Sequence, residues 1–98
     1  MVKLSDSVVV PYSEAERELF ALLPVGGKNA ITSQDLVEKR YGASAPFHAR
    51  AIIVATVGNL ARKVEANREP FEIGRTVRQG PHPIRFWIRT KKEIKEKA

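Results

Sequence analysis

FEIGRTVRQGPHPIRFWIR, residues 71–89, decides how this chain is read. Ile73 and Val77 alternate with polar residues before Gln79-Gly80-Pro81-His82-Pro83, and Ile84, Phe86 and Ile88 alternate after it. A period of two belongs to half-buried strands. The five residues between are rich in turn formers. Pro81 and Pro83 cannot donate to a ladder, which places them at a hairpin tip or edge. The stretch therefore predicts a β-hairpin. It carries Arg75, Arg78, Arg85 and Arg89.

Upstream, the pattern changes to helical. Ser13-Glu14-Ala15-Glu16 matches a capping box, with Ser13 as N-cap, and the acids at 14, 16 and 18 suit a helix N-terminus. Leu19, Phe20, Leu22 and Leu23 supply its buried face, and Pro24 with Gly26-Gly27 ends it. Ala30-Ile31 reads as a short extended piece. Thr32 caps a second helix, with Asp35 at its third position and Gly42 just past its end. Leu36, Val37 and Tyr41 face the core. Pro46 fits the first turn of a third helix over 46–67. There Ile53, Val57, Leu60 and Val64 recur at i, i+4, i+7 and i+11, which is one narrow face. Pro70 prevents continuation. Residues 1–12 read as an arm whose Val8-Val9-Val10 either pairs as a strand or drapes over the core.

Composition bounds the function. The 98 residues suit one domain. Folding at this size buries roughly two-thirds of the unfolded chain's surface, enough for one core. Cysteine is absent, which excludes disulfide and thiolate chemistry and fits a cytoplasmic setting. No signal core follows the N-terminal charges, and the longest apolar helical run, at 51–55, falls far short of a bilayer span. The net charge of +6 is uneven. Residues 1–30 carry −1, residues 31–70 carry +2, and residues 71–98 carry +5. Such a field favours a polyanion, or else it is a solvated basic end.

Enzyme chemistry finds little footing. His48 and His82 are the only histidines and lie on separate elements, so no metal site is expected. His82 reads as a turn residue. Gly26-Gly27-Lys28 is too short for a phosphate loop. Neither a cofactor nor catalysis is expected, and an effector ligand cannot be read from the sequence.

With the Ile53–Val64 stripe buried, the opposite face of the third helix carries His48, Ala51, Ala55, Gly58, Asn59 and Arg62, with Lys63 at its edge. His48, Asn59 and Arg62 offer hydrogen bonds to base edges or phosphates. Ala51, Ala55 and Gly58 offer close approach, either to a groove or to another helix. On the second strand Ile84, Phe86 and Ile88 share one face, and Arg85, Trp87 and Arg89 the other. Arg75 is left without a face, because Gly74 or the turn can break the phase. Trp87 either stacks on a base or is covered by a tail or a second copy. The arginines either grip phosphate or keep an edge strand soluble. Lys91, Lys92, Lys95 and Lys97 surround only Ile94, which leaves too little apolar surface to enter a membrane.

The order helix, short strand, helix, helix, hairpin is that of a winged helix-turn-helix domain. The C-terminal half resembles the DNA-binding effector domain of OmpR-type bacterial response regulators. Leu60-Ala61-Arg62-Lys63-Val64 resembles the family's Leu-Arg-x-Lys-like ending of the third helix, with Ala61 where arginine is usual. Ile73 through Pro81 is similar to its Ile-x-Thr-Val-Arg-Gly-x-Gly-Tyr wing, with one added residue and without the second Gly and the Tyr. The phospho-acceptor receiver domain has no counterpart before residue 13, so phosphorylation control is not expected.

The resemblance implies an α+β winged-helix domain over 13–88, with a three-helix core and a two-stranded wing, between the arm and a basic tail at 89–98. It also implies that the third helix enters the major groove of double-stranded DNA through His48, Asn59, Arg62 and Lys63. Arg75, Arg78 and Arg85 would hold the backbone. If about five phosphates were neutralised, log K would fall with log salt at a slope of about −4 to −5. The competing expectation is a protein-interaction or homodimerisation module using Ala51, Ala55, Gly58 and Trp87. Charge alone does not separate DNA from RNA.

Overall fold

The structure, a computed structural model, describes residues 2–5, 8–76 and 84–90. Val77, Arg78, the expected turn with His82, and the lysines of the tail lie outside the described residues. Three helices, α1 (Glu14–Leu22), α2 (Ser33–Tyr41) and α3 (Ala49–Ala66), pack with a sheet of β1 (Ile31–Thr32), β2 (Phe71–Arg75) and β3 (Arg85–Thr90). The class is α+β, with a three-stranded antiparallel sheet ordered β1-β3-β2.

Local chemistry starts the first two helices where expected. Ser13 Oγ accepts from the Glu16 amide at 3.2 Å, and Glu16 Oε1 accepts from the Ser13 amide at 2.6 Å, completing the capping box. Thr32 Oγ1 accepts from the Asp35 amide at 3.1 Å. α2 ends on Gly42 at φ 58°, in the left-handed region where a side chain is strained.

The third helix begins later than Pro46. The Ala49 amide donates to the Pro46 carbonyl at 3.0 Å, so residues 46–48 form a turn and α3 starts at Ala49. Its far end closes tightly. The Glu69 amide donates to Val64 O at 3.2 Å and the Arg68 amide to Glu65 O at 3.1 Å, around Arg68 at φ 53°. The helix thus stops at Ala66, before Pro70 is reached.

The expected two-stranded ribbon is corrected to three strands. β1 joins it through Ile31↔Phe86 and Thr32↔Arg85, making β3 the central strand. Two residues are too few for an alternating pattern, so β1 shows in the sequence only as a short extended piece. The register settles the faces. Ile73↔Ile88 and Arg75↔Phe86 lie on one side, and Glu72↔Arg89 and Gly74↔Trp87 on the other.

The core sits between the helices and the first of these faces. Ile53, Val57, Leu60 and Val64 of α3 are each at most 2% exposed and meet Leu19, Leu36, Phe71 and Phe86. The Phe20 and Phe71 rings tilt against one another at 5.3 Å. Each such side chain contributes roughly 1.5–3 kcal/mol by leaving water.

Of the two alternatives for Val8-Val9-Val10, the arm drapes: no strand forms among its described residues. Val2, Leu4 and Val8 pack against the core. The polar anchor is the loop between α3 and β2. Val10 donates its amide to Asn67 Oδ1 at 2.7 Å and accepts from Asn67 Nδ2 at 2.8 Å. Glu69, 1% exposed, accepts from the Ser5 amide at 3.0 Å, from the Ser5 hydroxyl and from the Tyr12 hydroxyl at 2.8 Å. Burial pushes the Glu69 carboxyl up, but the Ser5 and Tyr12 hydrogen bonds outweigh it and leave it below its ordinary value. Burial together with the adjoining Glu69 pushes the Tyr12 phenol up to about 12.

Candidate nucleic-acid interface

The solvent side of α3 is nearly free of acid. From His48 to Val64 the chain has no carboxylate, a run of about 24 Å at 1.5 Å per residue. His48, Ala51, Ala55, Asn59 and Arg62 are exposed along it, and Gly58 is half-buried. Arg62 donates from Nη2 to Asn59 Oδ1, so the two polar groups of the second half hold one another in place.

Lys63, beside them, is held in an ion pair. Its ammonium stands 2.7 Å from Glu16 Oε1, and the Glu16 side chain is 4% exposed. The Lys63 ammonium thus supplies the charge that a buried carboxylate on α1 needs. Burial raises the Glu16 carboxyl, but the Lys63 hydrogen bond and the contacts with Ser13 outweigh it, so it lies below its ordinary value. Glu18 is likewise occupied, by Arg40 of α2.

The sheet sorts its arginines by side. Arg75 shares the face of Ile73 and Phe86, so the parity holds through Gly74 and points Arg75 toward α3. Val57, Gly58, Ala61 and Arg62 of α3 and Ile73, Arg75 and Phe86 of the sheet line one cleft of about 270 Å³. Arg62 and Arg75 thus share a single depression. Arg85 lies on the opposite face with Trp87 and Arg89. Arg89 is paired there with Glu72 at 3.6 Å. Among the described residues, Arg50, Arg62, Arg75 and Arg85 have no carboxylate in ion-pairing range.

Trp87 packs its ring against its own chain. A Cβ on Gly74 would stand 2.4 Å from the indole, and one on Gly27 3.7 Å, so the ring lies directly on Gly74. Half-buried on the outer sheet face, Trp87 does not share a surface with Ala51 and Ala55. Gly58 differs from Gly74, because a Cβ added there meets nothing within 4 Å.

Three residues of this surface have no distinguishing signal in the sequence. Arg50 is exposed on the first turn of α3, 3.4 Å from Gln34 Oε1 of α2. Phe47 is 96% exposed and Ile52 43%. The i, i+4 stripe does not distinguish Ile52 from core positions, and Phe47 falls in a turn where the sequence predicts helix. The arm runs along the edge of the surface, where Val10 lines a shallow cleft with Glu16, Asn59, Arg62, Lys63 and Ala66.

Among the described residues no cluster of metal-ligating side chains and no helix long and apolar enough to cross a membrane is found. Compared with protein-family models, curated proteins and solved structures, the chain shows no match.

Proposed function

We propose that the chain is a winged-helix protein that binds double-stranded DNA, acting as a transcriptional regulator by equilibrium binding and not by turnover. On this reading α3 enters the major groove and the β2–β3 ribbon is the wing. One observation carries it: Arg62 on α3 and Arg75 on β2, both without a carboxylate partner among the described residues, line the same cleft. A helix and a ribbon presenting unneutralised guanidinium groups side by side fit the phosphates bordering a groove. Arg50 extends the row toward α2. Arg85, on the far face of the ribbon, suits a phosphate of a neighbouring turn.

A second reading, a protein-interaction or homodimerisation module on the same fold, is supported by the bare Phe47 and by Ile52. Titration of mixed-sequence duplex DNA and of structured RNA in one salt series separates the readings. DNA binding should weaken steeply with salt and exceed RNA binding at each concentration. Absence of duplex affinity at low salt, with a dimer in sedimentation, would leave the second.

A further inference from the structure

The first half of the proposed reading helix is apolar. Phe47, 96% exposed, precedes α3, and exposed Ala51, Ala55 and Ile52 follow it. His48 sets its ring edge-on to Phe47 at 4.7 Å, and His48 and Arg50 are the polar side chains next to them. The hydrogen-bonding pair Asn59–Arg62 lies about one to two turns beyond Ala55. Apolar groups bare to this degree hold no folding energy in the isolated chain and gain only when a partner covers them.

The surrounding charge says which partner. Arg50 is exposed beside the patch, Arg62 and Arg75 lie beyond it, and α3 has no acid before Glu65. A second copy docked face to face would set these guanidinium groups against their like, with no carboxylate of α3 before Glu65 to answer them. A groove flanked by phosphates supplies that charge. On a DNA major groove the one apolar feature is the 5-methyl group of thymine, which alanine and phenylalanine side chains touch.

We infer that Phe47, Ala51 and Ala55 read thymine methyl groups, so that sequence preference at this end of α3 comes from apolar contact. This rests on the duplex-DNA reading above. The small side chains let the helix backbone approach closely, and Phe47 reaches further at the helix start. Asn59 and Arg62 are left to act on polar base edges or phosphates.

The test uses the full-length chain and a duplex selected by it from a random-sequence pool. The same duplex is then made with deoxyuridine for thymidine, which removes the methyl groups and keeps every hydrogen-bonding edge. Each contacted methyl should weaken binding about fourfold when removed, the worth of one buried methylene. Phe47→Ser, folded by circular dichroism, should bring the thymine-to-uracil affinity ratio toward one. Equal affinity for both duplexes overturns the inference and leaves DNA binding standing. If no duplex is retained even at low salt, both fall. If Phe47→Ser dissociates a dimer in sedimentation while the ratio is unchanged, the patch belongs to a second copy and the inference is overturned.

Discussion

The C-terminal end of α3, where the arm is held, and the exposed surface of α3 with the neighbouring cleft treat charge in opposite ways. At the C-terminal end, charged and polar groups are committed inside the chain. Glu69 holds Ser5 and Tyr12, Asn67 holds Val10, and Lys63 neutralises Glu16. No buried side-chain polar atom lacks a partner there or elsewhere among the described residues. At the N-terminal end and along the cleft, Arg50, Arg62 and Arg75 have no carboxylate partner among the described residues, and Phe47 is bare. The first region explains why the chain folds with its arm in place. The second contributes little to the fold, and surface positions of this kind change stability by about 0.5 kcal/mol or less when substituted. Side chains free of structural work are available to a partner.

The sharpest way to break this contrast is at Glu69. Glu69→Ala leaves the Ser5 and Tyr12 donors without their acceptor and opens a cavity under the arm. A loss of about 2–4 kcal/mol is expected in urea denaturation. Duplex affinity, measured where the variant is still folded, should change far less than stability.

Acid and alkali probe the same anchor with smaller effects. Glu69 and Glu16 both lie below the ordinary carboxylate value of 4.5. Their contribution is present above that value and is lost as pH falls through their folded values. Tyr12 is raised from 10.0 to about 12, so its contribution is full below 10 and fades as pH climbs through about 12. Thermal melts across pH should show a plateau between these limits, and Glu69→Ala should flatten the acid limb.

Much of the first region could be read only in part from the sequence. Ser13, Thr32 and the Ile53–Val64 stripe were legible because caps and helical faces are encoded within a few residues. The arm's anchors join residues 57 and 64 positions apart, and no local pattern announces them. Lys63 looked like an exposed edge position, because its helical angle is visible while Glu16 arriving from α1 is not. In the ribbon, alternation separates Phe86 and Trp87 onto opposite faces, and packing against the helices decides that Phe86 is the buried one. The face of Arg75 needed the register with Phe86, and the packing of Trp87 needed Gly74 opposite it. Pro46 misled because a proline suits a helix start and a preceding turn equally well.

A subtler substitution sharpens the contrast within α3. Gly58 costs the helix about 1 kcal/mol relative to alanine, and a methyl there meets nothing within 4 Å among the described residues. Gly58→Ala should therefore raise stability by about 1 kcal/mol in the same urea experiment. If a groove wall approaches the helix at this point, duplex binding should weaken in the more stable protein. A gain in stability with unchanged binding would remove Gly58 from the interface.

On the proposed reading Arg62 of α3 and Arg75 of the ribbon, without a carboxylate partner among the described residues, act together on one polyanion, and the salt dependence of duplex affinity tests it. Duplex affinity is followed against salt for the parent chain, Arg62→Ala, Arg75→Ala and Arg89→Ala, the last removing a guanidinium already paired with Glu72. The first two should each lower the magnitude of the log–log slope by about 1, and Arg89→Ala should leave it near the parent value. Equal slopes for all four proteins, or a loss as large in Arg89→Ala as in the other two, would contradict the account.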